Sequence, residues 1–300
     1  MIKCGIAGWI DRSLIESGDF YPRGCTSAEH RLRFYASQFE LVEADTMYYG
    51  IPIRKTAEQW VERTPEGFVF DCKAFGLFTH HPTKPAALAK EMRDQLPLAQ
   101  RDGNLYVDKM AAEIVDELWD QFRDALKPLR DAGKLGAVLF QFPRWFLPTS
   151  RSLAYIEQCQ ERMHGFPIAV EFRKRDWLDD RHAAGTLHFL RSRRIPYVAV
   201  DSPQGFEDAM PPLAEATSDA LAIVRFHGRN RETWSKRGVP PWVRFRYLYS
   251  TAELEEWVPR LRALEQAAKQ VHAIMNNNYS NYSVRNAREL VRLLARTHDA

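Results

Sequence analysis

Residues 220–230 read ALAIVRFHGRN, an apolar run that ends in polar side chains. A continuous apolar run of this length predicts a buried strand of a parallel sheet, because helices cover both faces of such a sheet. Side chains alternate along a strand, which places Arg225 and His227 on one face. A core strand that finishes in this way indicates that its end opens onto a polar, ligand-accepting rim.

The same pattern recurs along the whole chain, and helical patterns separate the repeats. The eight strand candidates are Ile2–Ala7, Leu41–Asp45, Phe68–Ala74, Gly136–Phe142, Ile168–Arg173, Tyr197–Asp201, Leu221–Phe226 and Val271–Asn276. Eight alternations of strand and helix favour a closed barrel over an open sheet. We therefore predict the α/β class: a single (β/α)8 TIM-like barrel domain over residues 1–300. The long stretch 75–135 predicts an enlarged helical connection between strands 3 and 4.

Helical spacing and capping residues place several of the connecting helices. Thr26 and Glu29 have the spacing of a capping box before one helix. Pro259 should kink or restart another. The predicted buried stripes are Met110, Ile114, Leu118, Phe122 and Leu126, then Leu254, Trp257, Val258, Leu261 and Leu264, and last Val284, Ala287, Leu290, Val291 and Leu294.

Composition excludes several classes of protein. The 42 basic and 39 acidic residues leave a net charge of +3, which by itself indicates no nucleic-acid partner. No apolar run is long enough for a membrane span, and we expect no secretory signal. Four scattered cysteines without a CxxC pair predict neither a zinc site nor disulfides, so we expect a cytoplasmic protein. Without GxGxxG, Walker, GxSxG or HExxH motifs, we predict no cofactor.

The candidate site residues lie at the strand ends, where barrel enzymes carry their catalytic groups. The predicted catalytic residues are Glu171, His227 and Lys73. The predicted substrate-binding residues are Trp9, Glu43, Tyr49, Arg173, Arg225, Arg229, Asn276 and Asn277. The arginines would bind an anion, and Glu171 would exchange a proton with His227 as its partner. We expect Lys73 to neutralise Glu171, with a nucleophilic amine as the alternative.

Three other interpretations of the same residues stay open. The charges could form a structural ion-pair network that closes the barrel without chemistry. The oxygen-rich set Glu43, Asp45, Glu171 and Asp201, with His227, could hold a divalent metal such as Mg²⁺ or Mn²⁺. Residues 229–246 form a basic stretch interleaved with Trp234, Trp242 and Phe245 and followed by Tyr247 and Tyr249, a composition that suits single-stranded nucleic acid. That stretch could equally be a loop whose aromatic side chains pack on the barrel rim.

Ten motifs occur along the chain in this order: GIAGW (5–9), Phe20-Tyr21-Pro22, VEADTMYYGIP (42–52), TPEGFVFDCKA (64–74), Thr79-His80, GAVLFQFP (136–143), EFRKRDW (171–177), RFHGRNRETW (225–234), RFRYLYSTAELEEW (244–257) and NNNYSNYSVRNARELVRLL (276–294). Together they resemble the motifs of the YecE-like family, known as domain of unknown function 72. The resemblance runs end to end and implies a TIM-like barrel, but no established reaction.

The chain also departs from the family pattern. Asn278 stands where relatives often carry histidine, Asp45 where they carry asparagine, and Met47 where they carry threonine. The lost histidine weakens a metal proposal and favours Asn276 and Asn277 as hydrogen-bonding residues. We therefore expect an enzyme that acts on a small or nucleotide-like anionic substrate by acid–base chemistry. The alternatives are a nucleic-acid-binding or metal-dependent phosphodiester-processing protein and a non-catalytic ligand-binding protein. The sequence does not predict the oligomeric state.

Overall fold

A computed structural model describes residues 1–206, 209–234, 236, 238 and 241–296. Its eight strands are β1 (Ile2–Ala7), β2 (Leu41–Ala44), β3 (Val69–Lys73), β4 (Leu135–Gln141), β5 (Ile168–Glu171), β6 (Val198–Asp201), β7 (Leu221–Phe226) and β8 (Gln270–Met275). The α-helices are α1 (Arg12–Ser17), α2 (Ala28–Ala36), α3 (Arg54–Glu62), α4 (Lys90–Gln95), α5 (Ala112–Asp131), α6 (Ser150–Arg162), α7 (Ala183–Ser192), α8 (Pro241–Arg244), α9 (Thr251–Glu255), α10 (Val258–Ala267) and α11 (Tyr282–Arg296).

All the strands run parallel and form a nearly closed barrel. They follow the order β5-β4-β3-β2-β1-β8-β7-β6. A single parallel bridge between Val170 and Tyr197 joins the two edge strands, β5 and β6. The predicted (β/α)8 TIM-like barrel is therefore confirmed.

Alternation along the strands separates two apolar layers. One layer lies inside the barrel and consists of Ala7, Leu41, Val69, Ala137, Leu139, Ala169, Val198, Leu221, Ile223 and Ile274. The larger layer lies between the strands and the surrounding helices, with Val42, Phe70, Val138 and Val170 as members. The alternation also turns Glu43, Lys73, Glu171 and Arg225 inward above the inner layer. This is the arrangement that positions the site.

The connection between β3 and β4 is enlarged, as predicted. It holds α4 and the long α5, together with short 3₁₀ turns such as Gly76–Thr79. On α5 the predicted stripe is buried at Ile114, Leu118, Phe122 and Leu126, whereas Met110 precedes the helix. None of the described helices combines the length and apolar character that a membrane span needs.

Some predicted boundaries were wrong. The strands β2 and β5 end at Ala44 and Glu171, so that Asp45 and Arg173 stand on the loops just beyond them. The helix α2 is capped by Ser27, whose side chain accepts from the backbone N–H of His30, and not by Thr26. On α11 the side chain of Val291 is 49% exposed, because the packed face of the helix passes through Leu293 instead.

The predicted restart at Pro259 is confirmed. The chain forms α9 and then α10, and Pro259 lies in the first turn of α10. A proline is tolerated there because the first N–H groups of a helix have no partner within the helix. Leu254, Trp257 and Leu261 of the predicted stripe are fully buried.

Gly136 on β4 lies against a buried polar pair inside the barrel. Asp71 Oδ2 is 2.8 Å from Nδ1 of His272. A Cβ atom at Gly136 would lie 2.3 Å from Asp71 Oδ1 and 2.8 Å from His272 Cε1. The close approach of these side chains therefore requires glycine at this position.

We expect Gly136→Ala to lower the free energy of unfolding by about 1–3 kcal/mol, because the added methyl group overpacks a filled interior. Urea denaturation would measure the loss. Gly185→Ala on α7 is the control, since nothing lies within 4 Å of its added Cβ. The free energy of unfolding of that variant should rise by about 0.4–1 kcal/mol, because alanine leaves the unfolded chain fewer conformations than glycine does. Equal effects of the two substitutions would contradict the packing argument.

Candidate functional site

A cavity of about 840 Å³ opens at the carboxyl ends of the strands. The charged residues that line it are Asp11, Glu43, Asp45, Lys73, Arg144, Arg173, Arg225 and Arg244. The aromatic residues that line it are Tyr48, Tyr49, Trp145, Trp234 and Phe245, together with His81 and His227. Catalytic groups of TIM barrels lie at this end, so we take the cavity as the candidate site and call it the mouth cavity.

Arg225 holds two carboxylates together at the floor of the mouth cavity. Its Nε and Nη2 donate to Glu43 at 2.7 and 2.6 Å, and its Nη1 donates to Glu171 at 2.5 Å. The side chain of Arg225 is only 1% exposed, and those of both acids are fully buried. Burial lowers the pKa of Arg225, but the two carboxylates outweigh burial and raise that pKa overall. Burial raises the pKa of Glu43, against the opposing charge of Arg225.

Glu171 accepts hydrogen bonds and charge from several directions. In addition to the bond from Arg225, its carboxylate accepts a hydrogen bond from Gln141 Nε2 at 2.9 Å and lies 2.7 Å from Nε of Arg173. Burial raises the pKa of Glu171, but Arg173, Arg225 and His227 outweigh it and hold that pKa well below its usual range. Glu171 is a permanent anion whose oxygens are occupied. This geometry does not favour it as a proton carrier.

His227 is a neutral imidazole with both nitrogens occupied. Its Nε2 lies 3.0 Å from Glu171, and Asn276 Nδ2 lies 2.7 Å from its Nδ1. A carboxylate only accepts, so Nε2 carries the proton and Nδ1 accepts from the amide. Burial, followed by the charge of Arg173, lowers the pKa of His227 to about 3. The ring therefore fixes the position of Glu171 instead of exchanging protons near neutral pH.

Lys73, the last residue of β3, presents its ammonium group to the mouth cavity. Within the described part of the chain, no carboxylate forms an ion pair or hydrogen bond with Nζ, and the Tyr48 ring lies 4.4 Å from it. The expected Lys73–Glu171 ion pair does not form, because Arg225 and Arg173 already neutralise the acids. Burial, followed by the charge of Arg225, lowers the pKa of Lys73 to about 8.

Asp45 is the acidic neighbour of this lysine in the mouth cavity. Its side chain accepts from no other described residue, and burial raises its pKa against the opposing charge of Lys73. The carboxylate packs against Gly8, where a Cβ would lie 3.0 Å from Oδ1. Gly8 has a φ of +80°, a conformation that favours glycine. The turn after β1 thus makes room for the Asp45 carboxylate.

One wall of the mouth cavity is aromatic. The ring of His81 lies 5.3 Å from that of Tyr48 and 5.8 Å from that of Trp145. Burial, followed by the charges of Lys73 and Arg173, lowers the pKa of His81 to about 4, so this imidazole is neutral. Trp145 and Tyr49 are 61% and 68% exposed. Flat exposed rings above a polar floor can stack on a ring of a bound ligand.

The chain matches a family model described as "Protein of unknown function DUF72" over residues 3–300. This chain belongs to the DUF72 family. It is 33% identical over 297 residues to the UPF0759 protein YunF of Bacillus subtilis (strain 168), covering 98% of this chain and 95% of that protein. The family carries no established activity, so the site must be judged from its own geometry.

Solved structures of the family show the same fold. A DUF72 family protein of Enterococcus faecalis V583 superposes with a TM-score of 0.78 at 27% identity, covering 98% of this chain and 96% of that chain. A DUF72 family protein of Thermotoga maritima MSB8 superposes with a TM-score of 0.75 at 27% identity, covering 98% and 99% of the two chains.

The structure brings most of the predicted site residues together. Those that line the mouth cavity are Glu43, Tyr49, Lys73, Arg173, Arg225, His227 and Asn276, and Glu171 contacts three of them from beneath. Three others lie elsewhere. Trp9 packs on Trp60 and Phe70 behind the strands. Arg229 pairs with Asp201 and Glu256, and Asn277 donates to Tyr247 and Asn286.

The basic aromatic stretch 229–246 lies at the rim of the barrel. Residues 235, 237, 239 and 240 lie outside the described residues, as does the side chain of Trp242. Trp234 is 7% exposed and, with Phe245, faces the mouth cavity. Tyr249 beyond it is buried and donates to Asp201 at 2.6 Å. The described rings therefore pack on the barrel, and the nucleic-acid role of this stretch stays a prediction.

The five residues considered as metal ligands do not converge on one point. In the described ranges, no group of three or more His, Cys, Asp or Glu side chains is arranged to hold a metal ion. Glu43 and Glu171 already accept from Arg225. Asp201 accepts from Trp257 and Arg229 away from the mouth cavity. The geometry gives a metal no ready set of donors.

Sequence reasoning missed several residues that line the mouth cavity. Arg144 and Trp145 lie three and four residues beyond the end of β4, so extending the strand-end search into the loops would have found them. His81 follows a 3₁₀ turn and His80, which has a φ of 59°. No sequence pattern indicates the direction of a side chain after such a turn. Arg244 comes from α8, inside the stretch interpreted as a loop.

We expect Arg225→Leu to destabilise the fold by about 3–5 kcal/mol, because Glu43 would stay buried without its ion-pair partner and Glu171 would keep only Arg173. Loss of this cation would raise the folded pKa of both carboxyl groups, so they would take up protons on folding. The penalty should therefore be smaller at about pH 5 than at about pH 8. Denaturant titrations at both pH values measure it.

Glu43→Gln combined with Arg225→Leu is the matched control, since it also removes the buried charge of Glu43. The double variant should recover part of the lost stability. A single variant as stable as the unchanged protein, or one with an equal penalty at both pH values, would contradict the role of Arg225.

Proposed function

We propose that this protein is an enzyme that binds a small or nucleotide-like anionic substrate in the mouth cavity and transfers protons through Lys73. The observation that carries the proposal is the position of Lys73 Nζ, which faces the cavity without an acidic partner among the described residues. A lysine with a pKa of about 8 exchanges protons readily near neutral pH. Perturbed groups of this kind cluster at functional sites.

Arg173 would bind the anionic part of the substrate. Its Nε faces Glu171, and within the described chain no acceptor is paired with its terminal Nη1 and Nη2. The side chain is 20% exposed, so these two donors can reach a ligand. A guanidinium fork matches the geometry of a carboxylate or a phosphate. Arg244 adds a second cation on the cavity wall.

The aromatic wall would bind the rest of the substrate, and the buried network would hold the floor rigid. Tyr49 and Trp145 are exposed aromatic residues that line the same cavity as Lys73. Glu171 and His227 then act as positioning residues, because their polar atoms are occupied by each other and by Arg225, Arg173, Gln141 and Asn276. This assignment replaces the proton-carrying roles expected from sequence.

The four cysteines are free, which supports the proposal of a cytoplasmic location.

Anion binding can be tested with inorganic phosphate and ribose 5-phosphate as probes. Both should raise the melting temperature of the unchanged protein, because a ligand that binds only the folded state stabilises it. Arg173→Lys keeps the charge but loses the fork, so the shift should shrink. Arg292→Lys is the control, since Arg292 pairs with Glu289 on the outer helix α11. Equal shifts in both variants would contradict binding by Arg173.

Turnover can be tested by NMR on a panel of sugar phosphates, nucleoside monophosphates and 2-keto acids. Consumption of a panel member should rise with pH through about 8, because the neutral amine of Lys73 accepts the proton. Lys73→Met should lower the rate by roughly 10²–10⁴-fold, the usual contribution of a proton-transferring group. Phosphate should still bind this variant through Arg173. Tight retention of a ligand without conversion would instead indicate the non-catalytic alternative.

A further inference from the structure

Lys73 differs from Lys3 and Lys134, two lysines that are buried in the fold. Lys3 donates to the carbonyl of Gly67 at 2.8 Å and lies 3.9 Å from Glu40. Lys134 donates to the carbonyls of Val61 and Thr64 at 2.8 and 2.7 Å. Both ammonium groups are therefore held by backbone carbonyl groups of the fold. In contrast, the Nζ of Lys73 makes no hydrogen bond or ion pair with any described residue and lies over the Tyr48 ring. Its lone pair is therefore available once the proton has left.

The neutral form of this amine is accessible in ordinary buffers. At a pKa of about 8, roughly one tenth of Lys73 is neutral at pH 7, against less than about one thousandth for a lysine of ordinary pKa. A desolvated lysine beside other cations is the usual form of a nucleophilic amine. Arg225 and Arg173 supply those cations here. Lys73 therefore meets the first requirement for attack on a carbonyl group.

Three other residues of the mouth cavity supply the remaining requirements. Asp45 lines the same cavity, and its carboxyl oxygens bond to no other described residue, so they are accessible for proton transfer. Burial raises its pKa, against the opposing charge of Lys73. Tyr48 places the face of its ring 4.4 Å from Nζ. The negative face of an aromatic ring stabilises a cation held above it, including an iminium ion. The guanidinium group of Arg173 can bind an anionic group of the substrate that carries the carbonyl.

We propose that Lys73 forms an imine with an aldehyde or ketone that carries a phosphate or carboxylate group. This inference rests on the proposed function and names the substrate class of the same site. The neutral amine attacks the carbonyl carbon and forms a carbinolamine. The C–O bond then breaks, and the oxygen leaves as water with one proton from the nitrogen and one from Asp45. The iminium ion keeps one N–H and the positive charge, and water reverses the step.

The iminium ion gives the site a clear chemical use. It withdraws electrons from the adjacent carbon, so that a proton or a carbon group bonded there can leave. The Asp45 carboxylate, which has just lost its proton, is available to accept one. The loss turns the iminium ion into a neutral enamine, and the adjacent carbon then takes a proton from Asp45, which restores an iminium ion. Water attacks the iminium carbon, and the product leaves as the bond to the Lys73 amine breaks. Each step uses groups that line the mouth cavity.

The test uses the full chain with pyridoxal 5′-phosphate as a probe, because this compound joins an aldehyde, a ring and a phosphate. Its imine absorbs visible light, borohydride reduces it to a stable amine, and peptide mapping locates the labelled lysine. At about pH 8 the neutral fraction of Lys73 exceeds that of an ordinary lysine by roughly 100-fold. We therefore expect label at Lys73 above every other lysine, with a yield that is half-maximal near pH 8.

Matched variants and competitors sharpen this experiment. Lys73→Arg should lose the label, whereas Lys109→Arg should keep it, since Lys109 lies over the Tyr106 ring at 5.3 Å but on the exposed surface. Inorganic phosphate should compete with the probe, and pyridoxal without phosphate should react less. Mapping on the unchanged protein stands even if Lys73→Arg fails to fold.

The outcomes separate the two proposals. Phosphate that stabilises the protein while the label spreads evenly over surface lysines overturns the imine and leaves anion binding intact. Label that falls on Lys73 but is insensitive to phosphate overturns the anionic substrate class. Failure of phosphate and ribose 5-phosphate to bind, together with no turnover of any panel member, overturns the proposed function itself.

Discussion

Arg225 is the group on which the mouth of this barrel depends. Two carboxylates buried at the axis of a barrel would cost several kcal/mol each without compensation. Arg225 supplies three hydrogen bonds to Glu43 and Glu171 from a side chain that is itself buried. Arg173 adds a second cation to Glu171, which balances the two acids. Lys73 is therefore not needed to neutralise these two acids, and it forms no ion pair with its other acidic neighbour, Asp45. This unpaired amine gives the site its chemical interest.

The sequence predicted the fold and the floor of the site because both follow from alternation along strands. Glu43 and Arg225 were found since charged side chains that face inward at the carboxyl end of a barrel strand usually belong to a site. The alternation rule ends where the backbone turns. Trp9 follows Gly8 and Arg229 follows Gly228, which have φ values of +80° and +84°. Each glycine redirects the chain, so the next side chain does not face the mouth cavity.

Other parts of the site could not be predicted because they depend on tertiary geometry. Asn276 and Asn277 are adjacent, and alternation allows only one to face inward; the structure turns Asn276 to His227. The protonation of His227 and Lys73 depends on burial and on cations brought from distant strands. Residues 73 and 225 become neighbours only when the barrel closes. A sequence pattern shows that charges converge, but not which of them keeps an exchangeable proton.

The proposed chemistry depends on the lowered pKa of the Lys73 amine in the mouth cavity. NMR titration of the lysine side chains, with Lys73→Arg to assign the signal, measures this pKa directly. The structure predicts a midpoint of about 8 for Lys73. A midpoint near the ordinary value of about 10.4 would contradict the account, because the amine would then stay protonated at physiological pH.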